Sequence, residues 1–246
     1  MKIEIATVIE NKLIASNLWK MKMEAPGVVE QYKGAGQFIQ ILVHSSWESP
    51  LRRPMSIAAV DGDQLEIIYK VFGRMTQILT ELNAGTALDI LGPLGNTFRW
   101  KDNTFTAVLV GGGVGLAPIL NMYGESTAAG QDVVLVLGAR TSVEHFIDHE
   151  PQNNVFLATD DGTVGIEGTV IPAIVKSLEN TSKPEIFACG PEPMLKAVQD
   201  FAATHQIPAQ ISEESYMGCG VGICQGCVGK RVNGNVAENS YHEKYS

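Results

Sequence analysis

The sequence predicts a small antiparallel β-barrel joined to a doubly wound parallel α/β unit, with a short cysteine-bearing segment at the end. Three observations predict it. Short apolar or alternating runs at residues 3–8, 18–23, 37–43, 56–60 and 64–71 are separated by turn formers such as Pro26-Gly27, Gly34-Ala-Gly36 and Asp61-Gly62-Asp63. From Phe105 onward, apolar strands at residues 107–110, 132–137, 155–159 and 185–188 alternate with helical stretches, the rhythm of a parallel sheet. The last quarter gathers three of the four cysteines into one glycine-rich run.

At 246 residues the chain is long enough for two domains with separate cores. The rhythm changes near residues 98–103, which gives a barrel over 1–100, an α/β domain over 101–212 and a cysteine segment over 213–246. A hydrophobic content of 45% and a charged content of 18% are those of an ordinary soluble protein. A net charge of −9 with no basic stripe argues against nucleic acid. The most apolar stretch, residues 107–120, is broken by four glycines and Pro118, so no membrane span is expected. Met1-Lys-Ile-Glu-Ile-Ala-Thr-Val alternates like a strand and lacks the apolar core of a signal peptide. Clustered cysteines without a secretory signal favour metal over disulfides. The expectation is a soluble, cytoplasmic protein.

Within the barrel, residues 73–82 read as a short helix and 87–91 as a last strand running into Gly92-Pro-Leu-Gly95. Leu51-Arg-Arg53-Pro-Met-Ser56 places a guanidinium three residues before a hydroxyl at the start of a strand. Arginine offers a rigid fork of donors suited to phosphate, and serine a small donor and acceptor. A plain surface arginine pair fits the same residues. In the second unit, Leu109-Val-Gly111-Gly-Gly113-Val-Gly115-Leu-Ala-Pro118 leaves a strand, crosses a glycine loop and enters a helix. Such a loop lets the backbone approach a pyrophosphate at a helix N-terminus, and proline suits the first helical turn. Proline in place of a third glycine departs from the usual dinucleotide fingerprint, and the next strand ends in Gly138-Ala-Arg140-Thr141 rather than in an acid. Cys189-Gly190-Pro191 follows another strand, at the sheet edge where ligands bind; a buried, inert thiol is the plainer alternative.

The cysteine run reads Cys219-Gly-Val-Gly-Ile-Cys224-Gln-Gly-Cys227. C-x4-C-x2-C is the plant-type spacing of a [2Fe-2S] cluster, and Gly218, Gly220, Gly222 and Gly226 suit a loop wound tightly around it. Zinc sites usually pair C-x2-C with a second pair or with histidines, and neither lies nearby. A fourth ligand is needed. It lies past the end of the recorded chain or is His242, and the first alternative is the expectation, since Cys189 belongs to another motif.

In this order the pieces resemble the ferredoxin-NADP reductase superfamily. Its Arg-x-Tyr-Ser flavin motif corresponds to Arg53-Pro54-Met55-Ser56, with methionine for tyrosine. Its Gly-x-Gly-x-x-Pro loop corresponds to Gly113-Val-Gly115-Leu-Ala-Pro118, and its Cys-Gly-Pro to Cys189-Gly190-Pro191. Over essentially the whole chain the sequence is more similar to the electron-transfer subunits of type B dihydroorotate dehydrogenases. The shared runs are Arg-Arg-Pro-x-Ser-Ile at residues 52–57, Gly-Pro-Leu-Gly-Asn at 92–96, Thr-Asp-Asp-Gly-Thr at 159–163 and the cysteine segment. That family's second flavin-contact region, Leu-Tyr-Arg and then Gly-Thr, reads Ile68-Tyr69-Lys70 and Met75-Thr76 here. Its fourth cluster cysteine lies some residues past the third.

The resemblance implies FAD in the barrel, NAD in the second domain and [2Fe-2S] on Cys219, Cys224 and Cys227. It places Arg53 on the FAD pyrophosphate and Ser56 near the flavin ring. A nicotinamide exchanges hydride and an iron-sulfur cluster single electrons; a flavin does both and belongs between them. The implied partner is an FMN-containing dihydroorotate dehydrogenase catalytic subunit, in a heterotetramer. Electrons from dihydroorotate would pass through the cluster and FAD to NAD+, in pyrimidine biosynthesis. No residue of this chain is expected to act as a general acid or base. Two other readings are a flavin and iron-sulfur subunit of a hydrogenase, sulfide dehydrogenase or transhydrogenase complex, and a binding module that kept the fold without redox centres.

Overall fold

The structure, a computed structural model, describes residues 1–43, 51–99, 104–179, 181–214 and 217–224, together with the backbone of 236–238. Six strands close a barrel: β1 (Lys2–Ala15), β2 (Leu18–Glu24), β3 (Phe38–Leu42), β4 (Arg53–Asp61), β5 (Gln64–Lys70) and β6 (Ala87–Leu94). Their order around it is β1-β2-β5-β4-β3-β6, every pair antiparallel. Alternation turns Val8, Met21, Ile39, Ile57, Ile67 and Ile90 inward to a common core. Each such side chain, fully buried, contributes about 1.5–3 kcal/mol.

The short helix α1 (Pro26–Val29) stands where the sequence read only as a turn. Proline opens it, and its first amides, Gly27 N and Val28 N, donate to the Glu4 carboxylate at 3.0 and 2.8 Å. The second helix of the barrel unit, α2 (Arg74–Thr80), leads into β6. Asn11 on β1 holds its far end, donating from Nδ2 to Leu79 O at 2.7 Å and Leu82 O at 3.1 Å. β1 runs well past the expected residue 8, because its second half pairs with β2 beyond a register shift between Val8 and Glu10. That bulge breaks the alternation by which the sequence marks a strand. β4 likewise starts at Arg53 rather than Ser56; Pro54 is tolerated there because the ladder with β5 begins only at Ile57.

The second unit comprises β7 (Thr106–Gly112), α3 (Leu116–Ala128), β8 (Val133–Ala139), β9 (Val155–Thr159), β10 (Ile166–Glu167), α4 (Val170–Leu178), β11 (Pro184–Cys189), α5 (Glu192–Thr204), β12 (Ala209–Ser212) and β13 (Val236–Glu238). The sheet is parallel throughout, in the order β10-β9-β8-β7-β11-β12-β13. The strand order reverses between β7 and β11, and such a switch point opens a crevice at the carboxyl ends of the two strands. β10, β12 and β13 are too short to carry a periodic signal, and the sequence did not announce them. Cys227 and His242 lie outside the described residues. No helix among the described residues is long and apolar enough to cross a membrane.

Helix α3 joins the two units. Asn121 Nδ2 donates to Ile57 O on β4 at 3.2 Å and to the Tyr32 hydroxyl at 2.7 Å. That hydroxyl donates to Glu125 Oε1 at 2.6 Å, while Ala35 N donates to Glu125 Oε2 at 3.1 Å. Burial, followed by the hydrogen bond to Glu125, pushes the Tyr32 phenol well above its ordinary pKa, so it stays a donor. Since the glycine loop sits at the N-terminus of α3, this network also fixes that loop relative to the barrel. Glu125→Ala strands a phenol and an amide; at about 1–3 kcal/mol for each unpartnered group, a clear fall in the thermal midpoint is expected. An unchanged midpoint would remove α3 from its role as the joint.

Candidate functional site

The start of β4, the end of β5 and the N-terminal turn of α2 enclose a cavity of about 290 Å³. That is near the lower end of small-molecule pockets, which run from about 300 Å³ upward. Its walls include Arg53, Pro54, Met55, Ser56, Ile68, Tyr69, Lys70 and Thr76, so three stretches separated in sequence converge on one space. Met75 is not part of the wall. Antiparallel pairing explains the convergence, because β4 enters the barrel where β5 leaves it.

The two neighbouring arginines part company here. Arg52 is committed to Asp89 on β6, with Nη2 2.9 Å from Oδ1 and Nη1 donating to Asp89 O at 3.2 Å. Arg53 faces the cavity, and its Nη1 donates to Leu51 O at 3.0 Å. The Tyr69 ring is buried in the wall and its hydroxyl donates to Asn11 Oδ1 at 2.9 Å; burial pushes this phenol up, and it stays neutral. Thr76 Oγ1 accepts from Phe72 N at 2.9 Å and Gly73 N at 3.2 Å, and donates to Gly73 O at 3.0 Å. Its hydroxyl therefore shapes the turn that edges the cavity. Lys70 Nζ lies 3.4 Å from Glu144 Oε1, an ion pair between the barrel and the loop after β8. Burial alone would raise the Glu144 carboxyl, but the hydrogen bond from Arg140 and the charge of Lys70 outweigh it and hold it below the usual range.

Val114, at the tip of the glycine loop, lines the same cavity. The loop sits at the switch point, where Gly111 on β7 pairs with Cys189 on β11. There Gly115 meets Cys189-Gly190-Pro191: a Cβ on Gly115 would stand 2.3 Å from Cys189 O and 2.5 Å from Gly190 N, so no other residue fits. Pro118 is buried in the first turn of α3, as the sequence predicts. Cys189 is buried; burial, and then the charge of Glu214, keep its thiol protonated. It is therefore a poor metal ligand.

The chain then brings Glu214 and Met217 to the cavity rim and enters the cysteine loop. Cys219 N donates to Cys224 Sγ, and Cys224 N to Cys219 Sγ, each at 3.4 Å. Amides aimed at the sulfurs, that of Cys224 foremost, bring the Cys219 thiol down to about 6, so it is largely a thiolate at neutral pH. Two sulfurs facing one another and ringed by backbone donors fit a metal-sulfur centre. Cys227 falls outside the described residues, so the third proposed ligand stands on sequence alone.

Known proteins align with this arrangement. Residues 109–200 match the oxidoreductase NAD-binding domain family. The electron transfer subunit of dihydroorotate dehydrogenase B (NAD(+)) from Bacillus pumilus is 37% identical, over 93% of this chain and 89% of its own. The corresponding subunit from Fusobacterium nucleatum is 35% identical, over 94% and 91%. The chain belongs to this electron-transfer-subunit family. Among solved structures, one described as NADH-dependent reduced ferredoxin-NADP oxidoreductase superimposes with a TM-score of 0.80 at 27% identity, over 91% of this chain and 81% of that one. Phthalate dioxygenase reductase superimposes with a TM-score of 0.63 at 19% identity, over 80% and 63%, and shares the fold.

In this member of the family, sequence reasoning missed Phe38, Phe72, Val114, Glu214 and Met217 in the cavity wall. Phe38 could have been found, since β3 puts it out of step with the inward Ile39 and Ile41. Val114 is implicit in a glycine loop that reaches beyond the sheet. Nothing local marks the other three; barrel closure and the path of the C-terminal segment bring them in.

Proposed function

We propose that the chain is the electron-transfer subunit of an NAD-dependent dihydroorotate dehydrogenase in pyrimidine biosynthesis, with FAD in the barrel over residues 1–100, NAD in the α/β unit over 101–212 and a [2Fe-2S] cluster in the segment over 213–246. One observation carries it. The residues matched to flavin motifs other than Met75, Val114 of the glycine loop, and Met217 two residues before Cys219 all border the same cavity. A flavin in that cavity supplies the conversion between hydride and single electrons.

Each residue has a physical task. Arg53 offers a charged fork for the pyrophosphate, and Ser56 a hydroxyl beside the ring. Phe38, Met55, Ile68 and Tyr69 give apolar walls that exclude water. Lys70, tied to Glu144, presents a fixed positive charge on the same side. Gly113, Gly115 and Pro118 form the loop and first turn for the dinucleotide phosphates, and Cys189-Gly190-Pro191 packs against them to set the depth at which the nicotinamide can lie. Cys219, Cys224 and Cys227 would hold the cluster. The chain binds, orients and tunes; oxidation of dihydroorotate belongs to an FMN-containing catalytic subunit, with which it forms a heterotetramer.

NAD is the expected dinucleotide. Arg140, the cation after β8, pairs with Glu144, with Nη2 2.6 Å and Nε 3.2 Å from Oε1, and the expectation of NAD is carried by the NAD(+)-dependent relatives. Comparing kcat/KM for NADH and NADPH should favour NADH by at least about tenfold, roughly 1.4 kcal/mol; a preference for NADPH contradicts this. Purifying the chain with its native partner tests the whole reading. The complex should reduce NAD+ with dihydroorotate, and a partner that instead oxidises hydrogen, sulfide or reduced ferredoxin would overturn it.

A further inference from the structure

Gln40 lies on β3 between Ile39 and Ile41, which point into the barrel, so its own side chain points outward. On a barrel wall that position is ordinarily wet. Here it is 1% exposed, and neither Nε2 nor Oε1 has a hydrogen-bond partner among the described residues. The cysteine loop covers it. A Cβ on Gly220 would stand 2.0 Å from Gln40 Nε2, 3.0 Å from Cδ and 3.2 Å from Cγ, so the backbone directly after Cys219 rests on the carboxamide. Gly220 also has a φ of +68°, which disfavours any other residue. On its other flank Gln40 neighbours the cavity wall without lining it: it pairs with Pro54 on β4 and stands two residues from Phe38, and both of those line the cavity.

Packing alone does not account for a glutamine here. A buried carboxamide with no partner is costly, and an apolar side chain of similar volume would serve better as filler. The same amide, however, carries two donors and one acceptor. It sits where the loop carrying Cys219 and Cys224, with its left-handed backbone at Gly220, is held beside the cavity proposed for the flavin. Donors near cluster sulfurs tune the reduction potential of such centres.

We infer that Gln40 is the positioning residue of the cysteine loop, its carboxamide packed beneath Gly220 and seating the loop against the barrel next to the flavin cavity. The inference rests on the reading of residues 213–246 as the iron-sulfur segment, and the test separates the two. Gln40→Met keeps volume and removes the amide's donors and acceptor; Gln40→Ala also removes the bulk. Both should keep their FAD and fold normally. In cluster-free protein, alkylation of Cys219 and Cys224 by iodoacetamide, read by mass spectrometry, should speed up at least about threefold as the loop opens more often. After reconstitution with iron and sulfide, electron paramagnetic resonance g-values and the midpoint potential should shift, which loss of packing alone would not produce in the Met variant. Gly220→Ala should strip the loop of its cluster, and combination with Gln40→Ala should restore part of it, because the clashing atoms are gone. Alkylation rates and resonance spectra equal to wild type in both Gln40 variants would overturn the inference. If wild type takes up no cluster while the Gln40 variants still alkylate faster, the loop contact stands and the cluster assignment falls.

Discussion

Arg53→Ala should weaken FAD binding about tenfold to a hundredfold, the loss of a charge-assisted contact of about 1.5–3 kcal/mol. The neighbouring Arg52 supplies the control. Its guanidinium is paired with Asp89 at 2.9 Å, at a partly exposed site, so Arg52→Ala should cost at most about 1 kcal/mol of stability and leave the flavin in place. Flavin retained after extensive dialysis, and the dissociation constant from fluorescence quenching, read both variants. If Arg52→Ala sheds flavin while Arg53→Ala retains it, the roles of the pair are reversed.

Gly115→Ala should slow reduction of bound flavin by NADH about a hundredfold, the order of loss that follows an ångström of misplacement. The new Cβ meets the carbonyl carbon and oxygen of Cys189 at 2.4 and 2.3 Å; both are backbone atoms and cannot swing aside. The glycine loop and the Cys189-Gly190-Pro191 turn must separate, and with them the two walls of the proposed nicotinamide site. Flavin content should survive, since the cavity wall other than Val114, Glu214 and Met217 belongs to the barrel. Gly124→Ala, in α3 with nothing within 4 Å of its Cβ, should be harmless or stabilise by about 0.5–1 kcal/mol. Rapid-mixing absorbance at the flavin band measures all three proteins. A Gly115→Ala enzyme that is reduced as fast as wild type would show that the close approach of the two loops has no bearing on hydride transfer.

The contrast between these residues explains how far the sequence could be read. The glycine loop, the Cys-Gly-Pro turn and the cysteine run are local objects, whose chemistry and spacing lie in a few consecutive residues. The central strands β7, β8, β9 and β11 were legible for the same reason, each being a short apolar run, whereas β10, β12 and β13 were too short to show. What separates Arg53 from Arg52 is Asp89, on a strand far along the chain, and no window around the arginines contains it. The Tyr32, Asn121 and Glu125 network that sets one unit against the other is equally non-local. Gln40 shows the limit most sharply. Alternation places it outward and would leave it in water, yet a loop folded back from nearly the other end of the chain buries it. The second half of β1 was hidden differently: a bulge shifts the register and turns a strand into apparent irregularity.

In the proposed function the barrel cavity and the switch-point loops form one site, in which nicotinamide meets flavin. Anaerobic mixing of the FAD-loaded chain, free of any partner, with stoichiometric NADH measures it most directly. Complete bleaching of the flavin band in a single turnover, with a matching yield of NAD+, is the predicted result. Flavin that binds at the cavity and stays oxidised in the presence of NADH would contradict it.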